Sequence, residues 1–161
     1  MTTEDITAHL NRLIETSRDG ELGYRTAAQY VRNSQLQSIF EEYEKQRGYF
    51  ARQLQLEVER LGGDARAAGS LSAALHRGWI DVKSAFSGGD GRAIIAACEN
   101  GEQAAVAVYQ RVLDMDISGE TRALLNNQFQ QVRDAQRHMG RLKEAATTSN
   151  RVMRADANEQ V

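Results

Sequence analysis

The sequence predicts an all-α fold made of two antiparallel helical hairpins, with a shorter crossover helix in the connection between them. Three observations predict it. The 161 residues contain no proline, and a proline-free chain rich in Ala, Gln, Arg, Glu and Leu favours long helices. Apolar residues recur in steps of three and four, most clearly at Leu36, Phe40, Tyr43, Phe50, Leu54 and Leu61, the spacing of one buried helical seam. Clusters of small and turn-forming residues interrupt that pattern at Asn33-Ser34, Gly62-Gly63, Ser87 to Gly91 and Ser118-Gly119, where helices stop and start.

The first helix is capped by Thr2 or Thr3, with Glu4 and Asp5 suited to its N-terminal dipole. One face then carries Ile6, Leu10, Leu13, Ile14, Ser17, Glu21, Tyr24, Ala28 and Val31. Gly20 and Gly23 fall in its middle, where glycine either admits a close neighbour or kinks the helix. The second helix starts near Ser34 and ends at Gly62-Gly63; the short connection makes the first two helices antiparallel. After a small-residue linker, Ser70 caps the shorter helix, which sets Leu71, Leu75, Trp79, Val82 and Phe86 on one side. The next helix runs from Arg92 to about Met115 with Ile95, Cys98, Glu102, Ala105, Tyr109 and Val112 in register. Ser118 caps the last, which reaches about Ala146 with Leu125, Gln128, Val132, Ala135, Met139 and Leu142 inward. The pattern is lost over residues 147–161, which read as a disordered tail after a single domain of residues 1–146.

Several function classes fall away. The net charge of −2 offers no polybasic surface for nucleic acid or anionic membrane. No apolar run approaches the roughly 20 residues that span a bilayer, and residues 1–5 lack the basic start and apolar stretch of a signal peptide. A cytoplasmic location is the expectation. Cys98 is the single cysteine, so no internal disulfide forms; it reads as a small buried hydrophobe. Gly88-Gly89-Asp90-Gly91 lacks the Lys-Ser/Thr of a phosphate loop. His76 reads as a packing residue and His9 as solvated, and no nucleophile–base set is present. Trp79 reads as an anchor between the connection and the bundle.

Two hairpins joined by a long connection is the ferritin-like four-helix arrangement. Its centre is unusual here. Counting from the turns brings Arg47, Glu102, Gln128, Ser17 and Glu21 to similar depth, a polar layer halfway along an apolar core. Ferritin-like carboxylate proteins hold two metal ions at that level with a Glu from each of two helices and Glu-x-x-His from each of the others. This chain has no Glu-x-x-His; helix two offers Glu44-x-x-Arg47 instead. The first expectation is therefore that Arg47 stands in for the metal, pairing with Glu102 and one of Glu15, Asp19 or Glu21 while Gln128 takes the remaining bonds, with no cofactor. The alternative is an Fe, Mn or Zn site on Glu15, Glu99, Glu102 and His138.

The chain resembles a bacterial ferritin-like family known chiefly as a four-helix-bundle domain of unknown function. The pieces that match are Leu13-Ile14-Glu15-Thr16, Asp19-Gly20, Gly23-Tyr24-Arg25, Leu61-Gly62-Gly63, Gly69-Ser70, Leu75-His76-Arg77-Gly78-Trp79 with Lys83, and Cys98-Glu99-x-Gly101-Glu102 with Ala105 and Tyr109. The resemblance implies a ferritin-like bundle in a bacterial cytoplasm and brings no established activity. Where many members carry a last-helix histidine and an acidic residue, this chain has Gln136 and Gln46, which removes two potential ligands. The expected function is a non-enzymatic bundle with a stress-associated or partner-binding role, through an unidentified protein partner or self-association. The alternative is a di-metal oxidase or peroxide-handling enzyme.

Overall fold

The computed structural model describes residues 1–67, 79, 91–117 and 119–159. Four long helices account for most of them: α1 Thr3–Tyr30, α2 Ser34–Arg60, α3 Gly91–Leu113 and α4 Gly119–Glu159. A short 3-10 turn, Ala65–Ala67, follows α2. The connecting helix expected from Ser70 onward, with Leu71, Leu75, His76, Gly78, Val82 and Phe86, lies outside the described residues apart from Trp79, as does the expected cap Ser118. Among the described residues no helix is long and apolar enough to cross a membrane.

Local chemistry fixes the ends. The Thr2 hydroxyl accepts from the Asp5 amide while the Asp5 carboxylate accepts from the Thr2 amide, a complete capping box at α1. The Asn33 side chain accepts from the amides of Gln35 and Leu36 to cap α2. Gly62, at φ +80°, closes α2 in the left-handed region open to glycine.

The helices pair as two hairpins, α1 with α2 and α3 with α4, joined face to face chiefly through α1 and α3. Side-chain partners give the directions. Arg25 meets Glu44 and Asn11 reaches the carbonyl of Asp64, so α1 and α2 are antiparallel. Glu99 meets Lys143 and Tyr109 meets Gln128, so α3 and α4 are too. Leu10, Leu13 and Ile14 cluster with Tyr109, Val112 and Leu113, while Ala27 and Val31 cluster with Ile94 and Ile95, which sets α3 antiparallel to α1 and therefore parallel to α2. A parallel second and third helix leaves the end of α2 and the start of α3 at opposite ends of the bundle, the geometry that needs a long connection.

Two apolar clusters fill the interior. One centres on Leu10, Leu13, Ile14, Phe50, Leu54 and Leu125; the other on Tyr24, Phe40, Ile94, Ile95, Cys98 and Met139. Arg47 and Glu102, both buried, lie between them, with the guanidinium over Phe50 of the first and Tyr24 of the second, while buried Gln128 bonds within the first.

The last helix departs from the sequence expectation. It continues past Ala146 to Glu159. Loss of an apolar seam ends packing and does not by itself end a helix. No glycine or proline follows Gly140, and the hydroxyls of Thr147 and Thr148 bond back to the carbonyls of Lys143 and Glu144 within the helix.

Candidate functional site

The α2 seam that turns Phe40, Phe50 and Leu54 inward also turns Arg47 inward, where it is 2% exposed. Room for its stem comes from α1: a Cβ at Gly20 would lie 3.3 Å from Arg47 Cγ. Its guanidinium cannot shed its proton, so it requires acceptors. Nη2 donates to both carboxylate oxygens of Glu102, at 2.7 and 2.9 Å, and Nε donates to Gln46 Oε1 at 3.3 Å. Glu102 is wholly buried, and its Oε1 also accepts from the Tyr24 hydroxyl. The guanidinium carbon sits 5.7 Å from the Tyr24 ring centroid and 5.8 Å from that of Phe50, within cation–π range.

The electrostatics follow from burial and these partners. Burial pushes the Glu102 carboxyl up, and Arg47 and Tyr24 pull it back. Burial is the largest influence on Arg47 and opposes its charge, but Glu102, Tyr24 and Tyr109 together outweigh it and leave the guanidinium above its ordinary value. Burial, and then the Glu102 charge, drive the Tyr24 phenol and the Cys98 thiol well above their usual ranges. Tyr24 therefore stays protonated and donates, while Cys98 is a neutral, inert thiol.

Gln128 does not join Arg47 as expected. It accepts from the Tyr109 hydroxyl at 2.8 Å and donates to Gln53 Oε1 at 3.0 Å and the Phe50 carbonyl at 3.4 Å. These bonds leave its amide committed one level away, and burial pushes Tyr109 up to about 12. Glu21 is displaced as well. It lies at the α1–α2 edge over Gly48 and pairs with Arg25 at 3.4 Å. The inward position on this part of α1 belongs to Gly20, and the α1 group bonded into the pair is a phenol, Tyr24, which donates to Glu102, where an α1 carboxylate against Arg47 was expected. Sequence reasoning placed Tyr24 on the seam as packing; the available signal was that a buried tyrosine must find its hydroxyl a partner.

The alternative set is dispersed. Glu99 pairs with Lys143 at 2.8 Å, His138 Nδ1 meets the Tyr43 hydroxyl at 2.6 Å, and half-buried Glu15 has its carboxyl raised by burial on α1. Among the described residues no three His, Cys, Asp or Glu side chains gather as metal ligands. The donor set does not fit a dinuclear centre: Glu102, the carboxylate bonded to Arg47, already has both oxygens on a fixed cation.

Trp79 completes this level. Its ring lies against Gly23 on α1 and Gly101 on α3, where an added Cβ would come within 2.2 and 2.3 Å of indole atoms. The two glycines form a slot that any side chain would fill, and α1 runs unbroken through Gly20 and Gly23. The indole meets the Tyr24 ring edge-on at 5.2 Å.

Four long helices in this topology, with inward residues at mid-height, define a ferritin-like helical bundle, here one with an arginine at its centre. A crystal structure of a two-domain protein containing DJ-1/ThiJ/PfpI-like and ferritin-like domains, from Anabaena variabilis, superposes with a TM-score of 0.73 at 16% identity, covering 90% of this chain and 40% of that one. The chain thus spans less than half the length of that structure, and the likeness is one of fold. The chain belongs to the family described as Domain of unknown function (DUF2383), which matches residues 5–115. No curated protein matches it.

Proposed function

We propose that this protein is a non-enzymatic binding module, a ferritin-like bundle that works through its helix surfaces by engaging a protein partner or a second copy of itself. The observation that carries this reading is the Arg47–Glu102 pair, 2% and 0% exposed at the level where metal-using bundles gather carboxylates. A side-chain cation there answers the charge of Glu102, and a metal would have to displace it. Surface groups support the second half of the reading. Tyr49 and Leu56, 54% and 66% exposed, lie two turns apart on one face of α2, and Leu22 and Tyr30 are exposed on α1. Exposed aromatic and aliphatic side chains are the groups that interface centres use.

The test is metal loading. Purified protein incubated anaerobically with Fe(II), Mn(II) or Zn(II) and freed of excess ion should retain none in proportion to protein by elemental analysis, with light scattering run alongside to read self-association. Near-stoichiometric metal that disappears in Glu102→Gln would overturn the reading in favour of a di-metal oxidase or peroxide-handling protein.

A further inference from the structure

We propose that Tyr43 and His138 form a proton-coupled redox pair through which the bundle quenches one-electron oxidants of the organic peroxyl-radical class. The proposal goes beyond the partner-binding reading, adding a redox activity to a bundle read above as non-enzymatic, and it rests on Tyr43 and His138 with Tyr24, Glu102 and Arg47 as neighbours. Tyr43 comes from α2 and His138 from α4, and the phenol oxygen lies 2.6 Å from Nδ1 of the imidazole. The Tyr43 ring stacks on Tyr24 with centroids 5.2 Å apart and planes 30° from parallel. Tyr24 meets Trp79 at 5.2 Å, and Tyr43 meets His138 edge-on at 5.8 Å. Four rings in contact therefore run from the slot between Gly23 and Gly101 to a half-buried imidazole at the bundle's edge. Rings at van der Waals separation exchange electrons readily, so an electron hole formed on any of them can settle where the accompanying proton has the best place to go.

That place is the Tyr43 hydroxyl. A phenol that loses an electron becomes a strong acid and must release its proton. The Tyr24 hydroxyl points at Glu102, and protonating Glu102 would strip the buried Arg47 of its counter-charge, a state with a large penalty. The Tyr43 hydroxyl points at an imidazole, the side chain suited to carrying a proton near neutral pH. Burial, with Glu102 next, raises the Tyr43 phenol, so it holds its proton until oxidised. Burial, with Arg141 next, lowers His138 and favours its neutral ring; in the tautomer the proposal uses, Nε2 carries the proton and Nδ1 accepts from the Tyr43 hydroxyl. Among the described residues, the charged groups that face the pair are Arg47 from α2, Glu102 from α3, and Arg141 and Asp134 from α4.

The step balances. A peroxyl radical takes one electron from Tyr43 and one proton from water and becomes a hydroperoxide. The Tyr43 O–H bond breaks, its proton forms an N–H bond at His138 Nδ1, and a neutral phenoxyl radical faces an imidazolium. A reductant of the ascorbate class then returns the electron, releasing a proton to water as it becomes its own stabilised radical, and His138 gives its proton back to the phenoxyl oxygen.

Flash oxidation of the full chain by a photo-generated ruthenium(III) polypyridyl complex, a surrogate one-electron oxidant, tests this by electron paramagnetic resonance. The persistent tyrosyl signal should be lost in Tyr43→Phe and retained when the exposed Tyr30 and Tyr49 are both changed to Phe. Radical formation in the wild type should slow in D2O, and that slowing should vanish in His138→Gln. A signal that survives Tyr43→Phe, or one lost with Tyr30 and Tyr49, would overturn the proposal. So would a wild-type rate that D2O leaves unchanged, a result that needs no variant to fold.

Discussion

Replacing Glu102 by glutamine keeps the volume and the hydrogen-bonding shape of the side chain and removes only its charge. The amide can still accept from Arg47, but a guanidinium 2% exposed then has no counter-ion among the groups bonded to it. Breaking a buried pair from one side costs about 3–5 kcal/mol, a fifth or more of the roughly 5–15 kcal/mol that holds a domain folded. With a urea dependence of about 1–3 kcal/mol per molar, the unfolding midpoint should fall by between about 1 and 5 M, read by far-ultraviolet circular dichroism. Removing the whole cluster should behave differently. In Arg47→Met/Glu102→Leu/Tyr24→Phe no charge or hydroxyl of the cluster is stranded, and stability should return to within about 1 kcal/mol of wild type or exceed it. Tyr24→Phe belongs in the set because its hydroxyl otherwise loses its acceptor, a loss of about 1–3 kcal/mol. A Glu102→Gln variant less than about 1 kcal/mol destabilised would refute the idea that Arg47 is a trapped charge.

Gly101→Ala places a methyl 2.3 Å from the Trp79 indole, so the ring must leave its slot. The expected loss is about 1–3 kcal/mol from overpacking, and because Trp79 is the single tryptophan, its fluorescence should move to longer wavelength. A variant with unchanged emission and midpoint would show that the slot is not filled in solution. His138 has a folded-state pKa below its ordinary 6.5. At high pH both folded and unfolded states hold it neutral. As pH falls through 6.5 the unfolded state takes up the proton first, so stability declines until the folded pKa is passed and then levels. The difference in unfolding free energy between wild type and His138→Gln, measured across that interval, should show this decline, and a flat difference would contradict it. Glu57 works in the opposite pH range: Arg60, followed by Thr121, holds its carboxyl below the ordinary 4.5. Its contribution should be intact above 4.5 and disappear as pH falls through the folded value, so Glu57→Gln should lose the corresponding acid-side slope in an unfolding titration.

The helices were legible because their apolar residues repeat at helical spacing and their ends carry strong signals such as Asn33 and Gly62. Arg47 and Glu102 were legible as seam positions holding charge, and a buried charge demands an opposite one. The third partner was not. A search for carboxylates led to Glu21, yet the inward register of α1 passes through Gly20 and Tyr24, and a one-position difference moves a side chain by more than a quarter of a helix turn. Gln128 was placed at the correct seam but at the wrong height, because depth counted from the turns carries an error comparable to the spacing between Tyr109 and Glu102. The pairing of Tyr43 with His138 joins two helices far apart in sequence, and nothing local announces it. The length of the last helix was missed for another reason: amphipathic periodicity reports packing, while continuation depends on the absence of breakers.

An ion held by coordination can come and go, and its site passes through an empty form whenever supply fails. The cation that faces Glu102 is bonded to the chain itself. The pairing of Arg47 with Glu102 is therefore set once the polypeptide has folded, with both charges supplied by the chain. Its composition is inherited through a codon, and it can be changed only by mutation.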